Sequence, residues 1–239
     1  MASRDDQFWA EFLGVSPSDW STPGISVRPH AGLIGYRGLW CFRCQDRTVV
    51  SVPRGWVAHF SERLADCDQD KLFEEAFLRE LVGADFERII GPAFQGCLDP
   101  GRFRPVSAPE VRFVGSTDGA AIDRFRLECG ADDLASSALD KVRDHLAAFF
   151  QGTKIVALAG YRPWSDVAGD PCVLTYLDVR GRGYGTAVVS AVVAQALQDG
   201  KLLLYQTLEA NQGAVHIALK LGYERYARYV AVRLKRDAP

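Results

Sequence analysis

The chain predicts an α/β fold built on a mixed sheet, and three observations predict it. Two apolar, strand-like runs, residues 171–177 and 202–208, are each followed by a helix-like run, the alternation of an α/β chain. Residues 186–198 are rich in Ala and Val nearly all round, as a helix buried against a sheet must be. Gln151-Gly152 separates the strand-like runs 147–150 and 153–160, which reads as an antiparallel hairpin. With 239 residues and 48% hydrophobic content, the chain has material for one large domain or two modest ones.

Taken in order, residues 39–43 and 48–52 read as paired strands, 56–64 and 72–81 as amphipathic helices, and 86–90 as a strand ending before Gly91-Pro92. The turn-rich stretch 99–105, Asp-Pro-Gly-Arg-Phe-Arg-Pro, marks a boundary between an N-terminal α/β segment, 1–105, and a second domain, 106–239. There, 111–115 alternates as a strand, and Thr117-Asp118 caps a helix over 120–128. The polar break 130–133 precedes a second helix, over 134–145. After the hairpin, a loop over 162–170 leads to the strand 171–177, the helix 186–198 and the strand 202–208. Asn211-Gln212-Gly213-Ala214 then opens a helix closed by Lys220-Leu221-Gly222-Tyr223, and 226–234 is the last strand, closing the sheet.

Composition narrows the function. Twenty-eight basic against 30 acidic residues give a net charge of −2, so no global field draws nucleic acid or an anionic membrane. No signal peptide precedes Phe8-Trp9, and the helix 186–198 is too short to cross a bilayer. A cytoplasmic protein with six reduced cysteines is expected. Cys41-Phe-Arg-Cys44 is a single CxxC without a second pair to complete a zinc set, so no metal is expected and the thiols read as small core residues.

The most telling segment is Arg180-Gly181-Arg182-Gly183-Tyr184-Gly185, at the junction of strand 171–177 and helix 186–198. Alternate glycines there let backbone N–H groups converge on one point, with no Cβ atoms in the way, at the positive end of the helix dipole. That is a phosphate cradle. A P-loop requires Lys-Ser or Lys-Thr after its last glycine, and here Thr186-Ala187 follow. A dinucleotide fingerprint requires glycine at 186 and an acid about 20 residues on, where the chain has Thr186 and then Tyr205-Gln206.

What remains, Arg-x-x-Gly-x-Gly between a strand and a helix, resembles motif A of the GNAT N-acetyltransferase superfamily. Asn211-x-x-Ala214 followed by Lys220-Leu221-Gly222-Tyr223 resembles its motif B. Alone, the first reads as a tight turn and the second as a capped surface helix. Their order, with a buried helix and strand between them, carries the resemblance across residues 107–239. The first 105 residues are similar in element order to a degenerate half of such a unit, and a leader that completes the core is an equal reading.

The resemblance implies the GNAT acyl-CoA N-acyltransferase fold, acetyl-CoA as cofactor with coenzyme A as product, and direct acetyl transfer to a primary amine. Carried onto this sequence, it gives Arg180, Gly181, Arg182, Gly183, Tyr184, Gly185 and Thr186 to the pyrophosphate. Val173, Leu174 and Thr175 would pair with the pantetheine arm where two strands splay apart, and a backbone N–H around Leu174 would polarise the thioester carbonyl. Asn211 would face the pantetheine side while capping its helix.

The proton chemistry is less legible. Asp170 and Glu209 are the candidate bases, each with the alternative of a solvated loop acid. Ala218 stands where many members of the family carry the tyrosine that protonates the departing thiolate; some active members also lack it, and Tyr205, Tyr226, Tyr223 or water are the candidate substitutes. His216 reads as a surface residue and Cys172 as a buried core thiol. Glu128, Asp132, Asp133 and Asp140 form an acidic rim suited to a cationic small-molecule or peptide amine, or are ordinary surface acids. A homodimer is one assembly open to the chain. A non-catalytic acyl-CoA-binding module and, behind it, a dinucleotide-binding enzyme are the competing readings.

Overall fold

A computed structural model describes residues 3–142 and 145–235. In chain order the main elements are α1 (Arg4–Leu13), α2 (Pro17–Trp20), β1 (Gly24–Pro29), β2 (Gly38–Cys44), β3 (Arg47–Val52), α3 (Val57–Arg63), α4 (Glu75–Val82), β4 (Phe86–Cys97) and β5 (Val111–Phe113). They continue with α5 (Gly119–Cys129), α6 (Ala131–Ser137), β6 (Ala147–Gln151), β7 (Lys154–Pro163), β8 (Ala168–Thr175), α7 (Tyr184–Gln198), β9 (Leu202–Leu208), α8 (Gln212–Lys220) and β10 (Glu224–Leu234). These fall into two compact units. The first comprises residues up to Gln95, Thr207–Ala210 and everything from Arg225 on; the second comprises Gly96–Gln206 and Asn211–Glu224.

The units therefore divide before the turn-rich stretch 99–105, not within it, and the last strand joins the first unit. That stretch is packed: Arg104 N–H donates to Leu221 O at 3.0 Å, and Val106 N–H donates to Ser190 Oγ at 2.8 Å. Its Pro and Gly residues shape a docked turn.

In the first unit the strands run in the order β1-β3-β2-β10-β4, with β1 parallel to β3 and the β2–β3 and β2–β10 pairs antiparallel. Leu39, Cys41, Val50, Val52, Val230 and Val232 meet Phe60, Leu64, Leu72 and Leu78 in one core. Burial pushes the Cys41 thiol up to about 12, which suits an inert packing residue. The helix α1 goes beyond the sequence reading; its start is a capping box, with Ser3 Oγ accepting from Asp6 N and Asp6 Oδ2 accepting from Ser3 N. It buries Trp9 and Leu13.

In the second unit the order is β9-β8-β7-β6-β5. All neighbours are antiparallel except β8 and β9, which are parallel and pair only at Ala168↔Leu202 and Gly169↔Leu203. The helix α7, buried nearly all round, packs on β6, β7 and β8. Ile122 and Phe125 of α5 pack with Leu139, Val142, Leu158, Cys172 and Leu174.

Two local expectations are corrected here. The helix expected over 134–145 is α6, which starts earlier and ends at Ser137, with Ala138 left-handed at φ 57°. Ser136 and Ser137 hydroxyls donate to Asp133 O and Leu134 O, and Leu139 N–H donates to Ser137 Oγ. These local bonds compete with helix propagation. Residues 143–144 of the expected helix lie outside the described residues. The loop expected over 162–170 shrinks to 164–167, because β7 runs to Pro163 and β8 begins at Ala168. Among the described residues no helix is long and apolar enough to cross a membrane.

Candidate functional site

The register of β8 decides which backbone groups face which neighbour. Tyr176 N–H donates to Val156 O beside β7, and Leu202 N–H donates to Val167 O on the β9 side. Because the β7–β8 register is unbroken, even-numbered residues of β8 address β7 and odd-numbered ones address β9. Past Gly169 no β9 pair is formed. The groups facing the opening are then those of Pro171, Val173 and Thr175. Pro171 has no N–H, so the end of the ladder strands no donor there. Leu174 pairs with Leu158 on β7, and the N–H that faces the opening is that of Val173. Among the residues around Leu174, strand parity thus singles out Val173.

The expected cradle forms the next turn. Gly181 and Gly183 have φ of +79° and +86°, and a Cβ at either would meet nothing within 4 Å. Conformation, not space, requires glycine, since the left-handed region costs other residues about 1–2 kcal/mol. Gly185 is the reverse case: its Cβ would lie 3.1 Å from Thr175 Oγ1 and 3.3 Å from Ile217 Cδ1, so it lets α7 approach β8 and α8 closely. The helix has no side-chain cap and no acid in its first turn. Its first internal bond is Ala187 N–H to Gly183 O, which leaves the N–H groups of Tyr184, Gly185 and Thr186 without intrahelical acceptors. With the helix dipole, these amides place the positive end of α7 at the turn.

Side chains brace the turn. Tyr184 stacks on Phe149 with ring centroids 4.2 Å apart, and its hydroxyl oxygen accepts from Gln151 Nε2 at 2.9 Å. Arg180 donates through Nε to Thr175 O at 3.1 Å and through Nη2 to Asp133 at 2.9 Å. Arg182 is exposed. Asn211 caps α8, its Oδ1 accepting from Ala214 N–H at 3.2 Å.

The acid and base candidates are engaged in structure. Asp170 is no solvated loop acid: its side chain is 4% exposed, and its two oxygens accept from Gln206 N–H at 3.1 Å and Arg162 Nη2 at 2.7 Å. Burial pushes its carboxyl up to about 6, against the lowering pull of Arg162 and the Gln206 N–H. Tyr205 and Tyr223 are buried edge to face at 5.2 Å; burial drives both phenols upward, and the Tyr223 hydroxyl has no hydrogen-bond partner among the described residues. Glu209 and Tyr226 lie in the first unit. There Glu209 binds Arg225 and Arg228, and the Tyr226 hydroxyl donates to Asp6 at 2.7 Å.

Three further residues sit as follows. Ala218 is fully buried, Cys172 is a core thiol and His216 is exposed. Of the acidic rim, Glu128 pairs with Lys154 and accepts from the Tyr176 hydroxyl, and Asp133 pairs with Arg180, so two of its four acids already face cations. Phe149, Gln151, Arg162 and Pro171 also shape the site, though none stands in a motif that marks it. Only Pro171 carries a local signal, as a proline inside a strand-like run.

Past Gly169 the edge of β8 forms no pair with β9, and it leads into the uncapped start of α7. Residues 120–223 match the model of the acetyltransferase (GNAT) family. Over these residues, a little under half of the chain, it is similar to the GNAT acetyltransferases. It shares its fold with an acetyltransferase of the GNAT family from Colwellia psychrerythraea, at TM-score 0.51 and 14% identity over 67% of this chain and 61% of that one. A GCN5-related N-acetyltransferase from Kribbella flavida gives TM-score 0.46 and 18% identity over 69% and 64%. A ribosomal-protein-alanine N-acetyltransferase from Brucella melitensis gives 0.37 and 15% over 52% and 99%. The chain thus spans less than two thirds of the length of the first two. No curated protein matches its sequence.

Proposed function

We propose that this protein transfers an acetyl group from acetyl-CoA to a primary amine of a small molecule or peptide. The observation that carries the reading is the continuity of two features: the inner edge of β8, unpaired after Gly169, runs into the uncapped start of α7. An amide-bearing arm that ends in a pyrophosphate is the ligand that such a sequence of features suits. The N–H groups of Tyr184, Gly185 and Thr186 would hold the pyrophosphate, and Val173 and Thr175 the arm. The amine nitrogen attacks the thioester carbon, the C–N bond forms and the C–S bond breaks, giving an amide and the coenzyme A thiol. The Val173 N–H would donate to the carbonyl oxygen as its charge develops.

The proton lost by the amine goes to water, and the thiolate takes one from water. The reason is that Asp170, Glu209 and Tyr226 are bound to other groups, and burial holds the Tyr205 proton tightly. A thiol of pKa about 8.5 leaves without strict need of an acid. The buried Ala218 favours a second reading, a non-catalytic acyl-CoA-binding module. Thermal-shift measurements with acetyl-CoA, coenzyme A and NADH, followed by turnover with a panel of amines, test both. Stabilisation by acetyl-CoA with amine-dependent thiol release supports transfer. Stabilisation without amine dependence supports the module, and stabilisation by NADH alone overturns both.

A further inference from the structure

We propose that Asp170 is a positioning residue, a strut that holds β8 and β9 apart at the opening, and not the catalytic base. The inference rests on the acetyl-CoA reading above for its consequence, but on geometry alone for the strut. Gly169↔Leu203 is the last β8–β9 pair. One residue later the Asp170 backbone addresses β7, as the partner of Arg162. Two residues later Pro171 has no N–H to offer towards β9. The proline thus withholds a donor from a β9 carbonyl, and the Gln206 N–H of β9, with no β8 pair formed beyond Gly169, takes a side-chain acceptor; an amide left without one costs about 1–3 kcal/mol where it is buried. The Asp170 carboxylate answers it, accepting from Gln206 N–H at 3.1 Å, while Arg162 at 2.7 Å fixes the other oxygen.

A side chain thus replaces a ladder bond. A backbone-to-backbone bond would bring the strands to the ordinary spacing of about 4.8 Å, whereas a carboxylate inserted between them keeps the gap open. With both oxygens accepting and only 4% of the side chain exposed, Asp170 is poorly placed to take a proton from an incoming amine. Asp-Pro at 170–171 is in this sense one device: the proline ends the ladder and the aspartate caps what the ladder leaves.

Three variants of the full chain test this. Asp170→Asn keeps an oxygen for the Gln206 amide, Asp170→Ala removes it, and Pro171→Ala restores a donor facing β9. Without any ligand, the Gln206 amide should exchange about 10-fold faster in Asp170→Ala and within about threefold of the parent in Asp170→Asn. Acetyl-CoA should bind about 10-fold more weakly to Asp170→Ala and about threefold more weakly to Pro171→Ala, with Asp170→Asn close to the parent. In turnover, Asp170→Asn should keep kcat within about threefold and retain the acidic limb of the pH profile.

Unchanged Gln206 exchange in Asp170→Ala overturns the strut. So does a loss of about 100-fold in kcat for Asp170→Asn with acetyl-CoA affinity intact, which would make Asp170 the base. If Asp170→Ala does not fold, the kcat of Asp170→Asn and the exchange of Gln206 in that variant still decide. If the parent binds no acetyl-CoA, the functional reading fails while the exchange measurement continues to judge the strut.

Discussion

Asp170 is both deeply buried and doubly hydrogen-bonded, and the first property wins in its titration, since its carboxyl is pushed up to about 6 from an ordinary 3.8. The folded protein therefore binds that proton more tightly than the unfolded chain does. The stability contributed by this group rises as pH falls from about 6 towards 4, and the ionised carboxylate costs stability above that window, by about 3 kcal/mol. Asp170→Asn removes the titration. The melting temperature of the parent relative to Asp170→Asn should move in the parent's favour between about pH 7 and pH 4; a constant difference would show that the carboxyl titrates normally. Ala218 raises a different residue-scale question. Because it is fully buried, adding the tyrosine that many members of the family carry there should overpack α8 and cost about 1–3 kcal/mol in denaturant unfolding. A variant that stays as stable and turns over faster would mean that a cleft opens beside it.

Among the elements, the junction of β8 with α7 separates two uses of glycine. Gly183 supplies a left-handed turn in open space, whereas Gly185 supplies closeness to Thr175 and Ile217. Gly183→Ala should cost about 1–2 kcal/mol and weaken acetyl-CoA binding, because the turn must change φ to relieve strain. Gly185→Val should cost about 1–3 kcal/mol through packing. Paired denaturant and titration curves check both, and equal effects on stability and binding from the two variants would argue against the distinction. Elements failed to follow the sequence pattern where side chains answer the backbone. Ser136 and Ser137 turn their hydroxyls onto Asp133 O and Leu134 O, and α6 stops where apolar spacing alone would continue it. Thr117-Asp118, read as a cap, belongs to a turn in which Arg112 grips the Asp118 carboxylate through two 2.7 Å bonds.

For the whole molecule, the course of the last strand has the largest consequence. Residues 226–234 were legible as a strand, and closing the sheet of residues 106–239 was the natural expectation. Instead β10 stands between β2 and β4 in the first unit, with Val230, Val232 and Leu234 in the core that Leu39, Val50 and Phe60 share. A fragment of residues 106–239 would carry this strand without its partners, as an exposed apolar edge. Expressed alone it should aggregate or associate, and the full chain should not; size-exclusion chromatography decides, and a monodisperse, folded fragment would overturn the argument. The glycine turn, by contrast, needed no such context at Gly181 and Gly183, whose left-handed conformations are local to it, whereas Gly185 answers to its distant neighbours.

By itself the sequence determined the α/β class, the strand–cradle–helix order, the burial of α7 and the capping role of Asn211, because each depends on residues within one or two turns of each other. Only the tertiary structure decided the rest. Which N–H around Leu174 faces the opening, that of Val173, follows from strand parity against β7. That Asp170 is a buried acceptor for Arg162 and Gln206 follows from contacts 8 and 36 residues away along the chain. That β10 returns to the first unit follows from pairing with β2. A local pattern reports the conformation its own residues prefer, whereas a carboxylate's protonation and a strand's place in a sheet are set by whichever distant groups remove it from water.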